Sequence, residues 1–318
     1  MYEMYRLVSC GSSGIFSLLS GLRTLSALGP VALCFLFLLI LGCGQDTDNT
    51  ASVREQITEN EPVRIVYVDW ASEQASAHVV QAVIEEKLGR ECRLLDVTLV
   101  AMWQALAAAD QDASVAAWLP SLHAKFLDGY RTEVENLGPN LIGTRIGLVV
   151  PDYVPVDSIS ELSKYAERFE HKIIGIDPHA GIMDTTKTAL NEYGLTSFSL
   201  ISGSGSTMTS ALEQAVKNRE WIVVTGWTPH WMFARWDLKY LADPRDVYGD
   251  KEHIATIVRQ GLQEEMPRVY SFLDAFLWTS RDMADVMLKA QEEGVSYAQA
   301  AKEWVLENES LVASWLPK

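Results

Sequence analysis

Val223-Val-Thr-Gly-Trp-Thr-Pro-His-Trp231 is a short β-branched run that ends at a glycine and passes at once into an indole and a turn-making proline. The pattern predicts a buried strand whose C-terminal end presents Trp227 at a loop. The chain makes a similar move at Val115-Ala-Ala-Trp-Leu-Pro-Ser-Leu-His123, and a third at Ile65-Val-Tyr-Val-Asp-Trp70. In open α/β sheets, ligands bind outside the carboxyl ends of the strands. Three strands that each carry an indole to that edge predict a site built of aromatic faces. The negative face of an indole attracts cations, most strongly when they are desolvated. A quaternary ammonium has no N–H to donate, so a carboxylate cage offers it charge with little geometry, and an aromatic box suits it better. The competing reading is core or interface packing, the usual place of tryptophan.

Working outward from these stretches, helical spacing alternates with short apolar runs. Val79, Val80, Val83, Ile84 and Leu88 repeat on one helix face, Gly89 ends that helix, and Cys92–Val97 reads as the next strand. Met102–Ala109 is a second helix, followed by the Trp118 strand, so the order strand, helix, strand, helix, strand predicts a parallel α/β lobe. The run Leu141–Val150, ending at Pro151, is placed as the crossing into a second lobe of the same plan. There, strands are expected at Lys172–Ile176, Ser197–Leu200 and Trp221–Thr225, with helices at Met183–Tyr193 and Thr209–Val216. After Asp237–Gly249 the chain is expected to return to the first lobe and finish in helices, where Trp278, Trp304 and Trp315 are read as packing. The expected division is 62–150 with 247–318 as lobe 1, and 151–246 as lobe 2.

Residues 1–43 are read as a leader. Arg6 and Arg23 precede the apolar run Val31–Gly42, which is short of the roughly 20 residues that span a bilayer and suits a signal-peptide core. It closes on Ile40-Leu-Gly-Cys43, which resembles the lipobox of bacterial lipoproteins and makes Cys43 the expected site of lipidation; an uncleaved anchor is the alternative. Residues 44–61 are polar and read as a flexible tether. Of the four cysteines, Cys92 alone falls in the folded part, so no intrachain disulfide is expected there. With no CxxC or His/Cys cluster, no metal is expected either, and no cofactor motif is present. The chain carries 42 acidic against 26 basic residues, net −16. The leader holds one acid and two arginines, which leaves the remainder at about −17. That balance excludes nucleic acid as a partner, whose phosphates demand a basic face.

The segments Tyr67-Val-Asp-Trp70, Ala117-Trp-Leu-Pro-Ser-Leu-His123, Gly147-Leu-Val-Val-Pro151, Gly175-Ile-Asp-Pro-His-Ala-Gly-Ile-Met183, Thr225-Gly-Trp-Thr-Pro-His-Trp231 and Leu238-Lys-Tyr-Leu-Ala-Asp-Pro244 occur in one order from about Pro62 to Trp315. In these the chain resembles the glycine betaine/proline betaine substrate-binding proteins of ATP-driven importers. The resemblance implies an α/β, two-lobed periplasmic-binding-protein fold (type II, Venus-flytrap), each lobe a mainly parallel sheet flanked by helices. It implies an exported, non-enzymatic protein whose partners are a quaternary ammonium ligand and the importer's permease and ATPase subunits, to which the lipobox adds the membrane through a lipid anchor at Cys43. It places the cation among Trp70, Trp118 and Trp227. The carboxylate falls to the N–H groups of Gly181 and Ile182, with His123. On residues alone, Gly181-Ile-Met before a helix is either an anion seat backed by the helix dipole or an ordinary turn. His179, His230 and Trp231 lie near the site without a motif of their own, and Trp103 reads as core.

Two alternatives stay open. A choline- or carnitine-specific binder of the same class would need acceptors for a hydroxyl; Asp69 adjoins Trp70 but should point to the opposite strand face. An α/β hydrolase acting on a choline-like ester would need a Gly-X-Ser-X-Gly elbow, which is absent. Gly203-Ser-Gly-Ser206 is too short for a P-loop and lacks its lysine, so it reads as a turn and helix cap.

Overall fold

The structure is a computed structural model that describes residues 61–318. The leader, Cys43 and the tether as far as Asn60 lie outside the described residues. In chain order the first elements are β1 (Val63–Tyr67), α1 (Ala71–Glu86), β2 (Cys92–Asp96), α2 (Leu99–Ala107) and β3 (Ala113–Leu119). Strands β1, β2 and β3 are parallel neighbours, as the alternation of helix and strand predicts. After α3 (Ala124–Gly129) comes β4 (Val134–Pro151), an 18-residue strand. A 3-10 segment, Ile159–Phe169, leads to β5 (Lys172–Ile174), α4 (Gly181–Glu192), β6 (Ser199–Ile201), α5 (Gly205–Asn218) and β7 (Val224–Thr228). Short α6 (Met232–Arg235) and β8 (Leu238–Tyr240) precede β9 (Glu252–Arg259).

Strand β4 is what joins two sets of strands. Its first part, Val134 to Thr144, runs antiparallel to β9, which itself lies antiparallel on β3. From Arg145 to Val149 the partner is β7 instead, and the order continues through β5 to β6. Bulges at the β9 seam coincide with Gly138 and Gly143, both at positive φ (97° and 90°), where a side chain would be strained. The sheets are therefore parallel at their three outer strands and antiparallel along β4 and β9. The mainly parallel sheets expected from sequence omit this seam, because a strand shared by two sheets leaves no mark in local periodicity.

The tail folds as α7 (Leu262–Glu265), α8 (Pro267–Ala275), α9 (Ser280–Lys289), α10 (Tyr297–Glu307) and α11 (Glu309–Trp315). Helices α9 and α10 pack against α1, so both ends of the described chain belong with the first set of strands. Trp278 meets Trp304 edge-on at 5.7 Å and Trp304 stacks on Trp315 at 6.2 Å, which is packing. Asp112, fully buried at the start of β3, accepts from Arg64 of β1 and Arg259 of β9, and Arg259 also bonds Glu265. Burial alone would raise that carboxyl, but the two guanidiniums hold it below the usual range. Cys92 is a buried free thiol pushed up by desolvation. Among the described residues, no helix is long and apolar enough to cross a membrane.

Candidate functional site

Two of the expected indoles sit at strand ends in the first set. Trp70 follows β1 and is the N-cap residue of α1; Trp118 is the penultimate residue of β3, and both are buried. Trp227 differs from its expected place: it lies inside β7, paired with Ile146 of β4, and not in the loop beyond. Gly226 permits this pairing, since a Cβ there would stand 2.5 Å from Val149 Cγ2. The helix expected from Met183 begins two residues earlier, at Gly181, with Ala180 as N-cap. Gly181 and Ile182 are thus its first two residues, whose N–H groups lack intrahelical acceptors, while Met183 N–H already turns back to the Ala180 carbonyl at 2.9 Å.

The structure brings all six expected ligand residues to the lining of one cavity. Trp70, Ser72, Trp118, Leu122 and His123 form one wall, from the first set. Ile146, Ile176, Ala180, Gly181, Ile182 and Trp227 form the other. No carboxylate and no lysine or arginine lines it, so a cation entering here meets ring faces and an anion meets N–H groups. Asp69 is exposed and bonded by Gln74, His179 is exposed, and neither lines the cavity. Trp103 is fully buried and stacks on Phe126, as core.

His123 is 1% exposed, and its Nδ1 accepts the Trp118 backbone N–H at 3.1 Å. In the neutral ring, that fixes the proton on Nε2, which makes no hydrogen bond within the protein and is free to donate. Burial, helped by Lys125, pushes the ring's pKa down to about 3, so it is neutral at physiological pH. His230 is buried behind the cage: its Nδ1 accepts from Met232 N–H, and its ring meets Trp227 edge-to-face at 4.6 Å and 88°. Burial lowers it to about 3 as well.

Sequence reasoning missed Ser72, Leu122, Ile146, Ile176 and Ala180 as wall residues. It also missed Glu73, in the first turn of α1, which is 1% exposed. Burial drives the Glu73 carboxyl well above its usual range; the Val68 backbone and the Trp118 indole on that side favour the charged form, but neither reaches it with hydrogen-bond geometry, and burial wins. A raised folded pKa means that the native state holds the proton more tightly than the unfolded chain. The stability linked to Glu73 is therefore intact below the ordinary value of 4.5 and is lost progressively as pH rises above it. Glu73→Gln, neutral throughout, is expected to match the native protein in thermal melts near pH 4 and to be the more stable by pH 8. An unchanged difference across that range would show that Glu73 is not held protonated.

Comparison with known proteins identifies the family. Residues 61–307 match the family model described as the substrate-binding domain of ABC-type glycine betaine transport systems. A glycine betaine/carnitine transport binding protein, GbuC of Listeria monocytogenes, is 47% identical over 163 residues, 51% of this chain. The match spans about half, 53%, of that relative's length. The lactococcal OpuAC structure, closed and complexed with glycine betaine, is 41% identical with a TM-score of 0.76, covering 81% of this chain and 100% of that one. The glycine betaine/L-proline-binding protein ProX of Borrelia burgdorferi is 38% identical with a TM-score of 0.77, covering 81% and 97%. The two-lobed periplasmic-binding-protein fold is shared with both, and the family is one of binding proteins, not enzymes. By the match across residues 61–307, the chain belongs to the family of substrate-binding domains of ABC-type glycine betaine transport systems.

Proposed function

We propose that the chain captures glycine betaine, or a close relative bearing a methylated ammonium and a carboxylate, and delivers it to the permease of an ATP-driven importer. The observation that carries this reading is the joining, in one uncharged cavity, of Trp70, Trp118 and Trp227 with the N–H groups of Gly181 and Ile182 and the Nε2–H of His123. Three rings at about 0.5–2 kcal/mol each supply part of the roughly 8 kcal/mol of a micromolar ligand, and the carboxylate seat supplies much of the rest. The named ligands of the Listeria and lactococcal relatives support the same class.

The test is calorimetric titration of residues 44–318 with glycine betaine, carnitine and choline. Glycine betaine is expected to bind most tightly. His123→Ala should weaken glycine betaine by about tenfold, the worth of one charge-assisted hydrogen bond, and change choline by less, since choline has no carboxylate. Choline as the tightest ligand, or an equal loss for both, would move the reading to the choline class.

The working division is 62–150 with 247–318 as one lobe and 151–246 as the other. Two chain crossings between the strand sets support a division of this kind, and the exchange of partner within β4, from β9 at Thr144 to β7 at Arg145, favours drawing the first boundary there and not at Pro151; the second precedes β9 at Glu252. Probes on Arg93 and Lys217, one on each lobe, should approach each other when glycine betaine is added; an unchanged distance would contradict hinged closure. Substrate-binding proteins of such importers work outside the cytoplasm. The Ile40-Leu-Gly-Cys43 motif supports a lipid anchor at Cys43. Cys43→Ser should abolish incorporation of labelled palmitate, and undiminished labelling would reject the anchor.

A further inference from the structure

Ser72 is the second residue of α1 and 1% exposed, and no motif drew attention to it. Its Oγ accepts the indole Nε1–H of Trp227 at 3.2 Å, across 155 residues of chain. The two partners come from opposite walls of the cavity. Trp227 is itself 4% exposed, and its Nε1 has no other acceptor. Closing the walls without Ser72 would bury an unsatisfied indole N–H, a polar group stripped of water and given nothing in return. With Ser72 present, the same N–H passes from water to a hydroxyl as the walls meet.

The bond also sets the ring. Trp227 is held at its Nε1 by Ser72, and the edge-on contact with His230 at 4.6 Å abuts it. Together they leave the indole of Trp227, which lines the cavity, little freedom to rotate. A second polar contact across the cleft, Lys125 of α3 to Asp184 of α4 at 3.6 Å, is more than half exposed at both side chains and contributes little in salt solution. From this geometry we propose that Ser72 is a positioning residue: it orients the Trp227 ring and stabilises the closed cavity. The assignment rests on the binding function proposed above.

A double-mutant cycle tests it, with glycine betaine as ligand and stopped-flow tryptophan fluorescence as readout. Ser72→Ala is expected to raise koff about tenfold with kon within about twofold, because the bond exists only after the walls meet. Ser72→Thr, which keeps the hydroxyl, should restore koff to within about threefold. Trp227→Phe keeps a ring but has no N–H, and in that background Ser72→Ala should change koff by less than about twofold. An equal effect in both backgrounds would make Ser72 a packing residue and overturn the proposal, as would an unchanged koff in the single variant. Wild-type protein that fails to bind glycine betaine would overturn the functional reading instead. Ser72 would then be judged by solvent exchange of the Trp227 indole proton, expected to quicken about tenfold in Ser72→Ala. Unchanged exchange would overturn the proposal with no ligand involved.

Discussion

Replacing Trp70, Trp118 or Trp227 by leucine is expected to weaken glycine betaine binding on the order of a hundredfold, about 2.7 kcal/mol, whereas phenylalanine at the same position should lose only about tenfold. The difference lies in what each substitution keeps. Leucine preserves an apolar surface but has no quadrupole, so a desolvated ammonium loses an interaction worth up to about 2 kcal/mol along with some contact area. Phenylalanine keeps a weaker ring. The comparison is meaningful because the cavity has no acidic side chain that could take over the cation's charge. Glu73, the nearest buried acid in sequence, is behind the wall and does not line the cavity. Calorimetric titration of the six variants reads the outcome. Equal affinities for the phenylalanine and leucine variants at all three positions would mean that the tryptophans act as bulk and that the aromatic-cage reading is wrong. Trp227→Phe should sit lowest among the phenylalanine variants, since it also loses the bond to Ser72.

Gly181→Val is expected to cost more, about a thousandfold in affinity, or about 4 kcal/mol. A Cβ at Gly181 stands 3.0 Å from both Cβ and Cδ2 of Leu122 and 3.2 Å from the Leu122 carbonyl oxygen, all on the opposite wall. The backbone of Gly181 is not in the left-handed region, so the residue is required by the close approach and not by its own conformation. A branched side chain there holds the walls apart and moves the first-turn N–H groups away from the carboxylate. Two charge-assisted hydrogen bonds at about 1.5–3 kcal/mol each are at stake. Gly181→Ala, which asks Leu122 to yield by a few tenths of an ångström, should lose about tenfold. Thermal melts should show both variants folded, because the clash arises only when the cleft closes. Gly181→Val binding within threefold of the native protein would show that the seat lies elsewhere.

Much of this site could be read along the chain. The three indoles stand in a local pattern, an apolar run ending in Trp; the first-turn glycine leaves an anion seat and an ordinary turn both open, and His123 was placed by family resemblance alone. Local patterns fix which residues end a strand or open a helix, because strand and helix periods are set by a few neighbours. The helix expected over Thr209–Val216 was legible for the same reason, although it begins four residues earlier, at Gly205, inside the Gly203-Ser-Gly-Ser206 stretch, with Ser204 supplying the cap. The boundaries were less so. Trp227 was expected beyond its strand because a following Thr-Pro reads as a turn, yet pairing with Ile146 extends β7 through Thr228.

What only the tertiary structure decided is which faces meet. Ser72 reads as an unremarked polar residue at a helix start until β4 carries the chain across and sets Trp227 against it. Glu73 reads as a favourable first-turn acid until packing takes its solvent away. His123 is an ambiguous ring until the Trp118 N–H assigns its tautomer. Ile146 and Ile176 are ordinary core residues by pattern and become cavity wall only because two sheets share one strand. In each case the deciding partner lies on another element, where no spacing rule reaches. The sequence by itself determined the groups that can hold an ammonium and a carboxylate; the crossing of β4, and the desolvation that follows when its two sheets face each other, decided how those groups are oriented and charged.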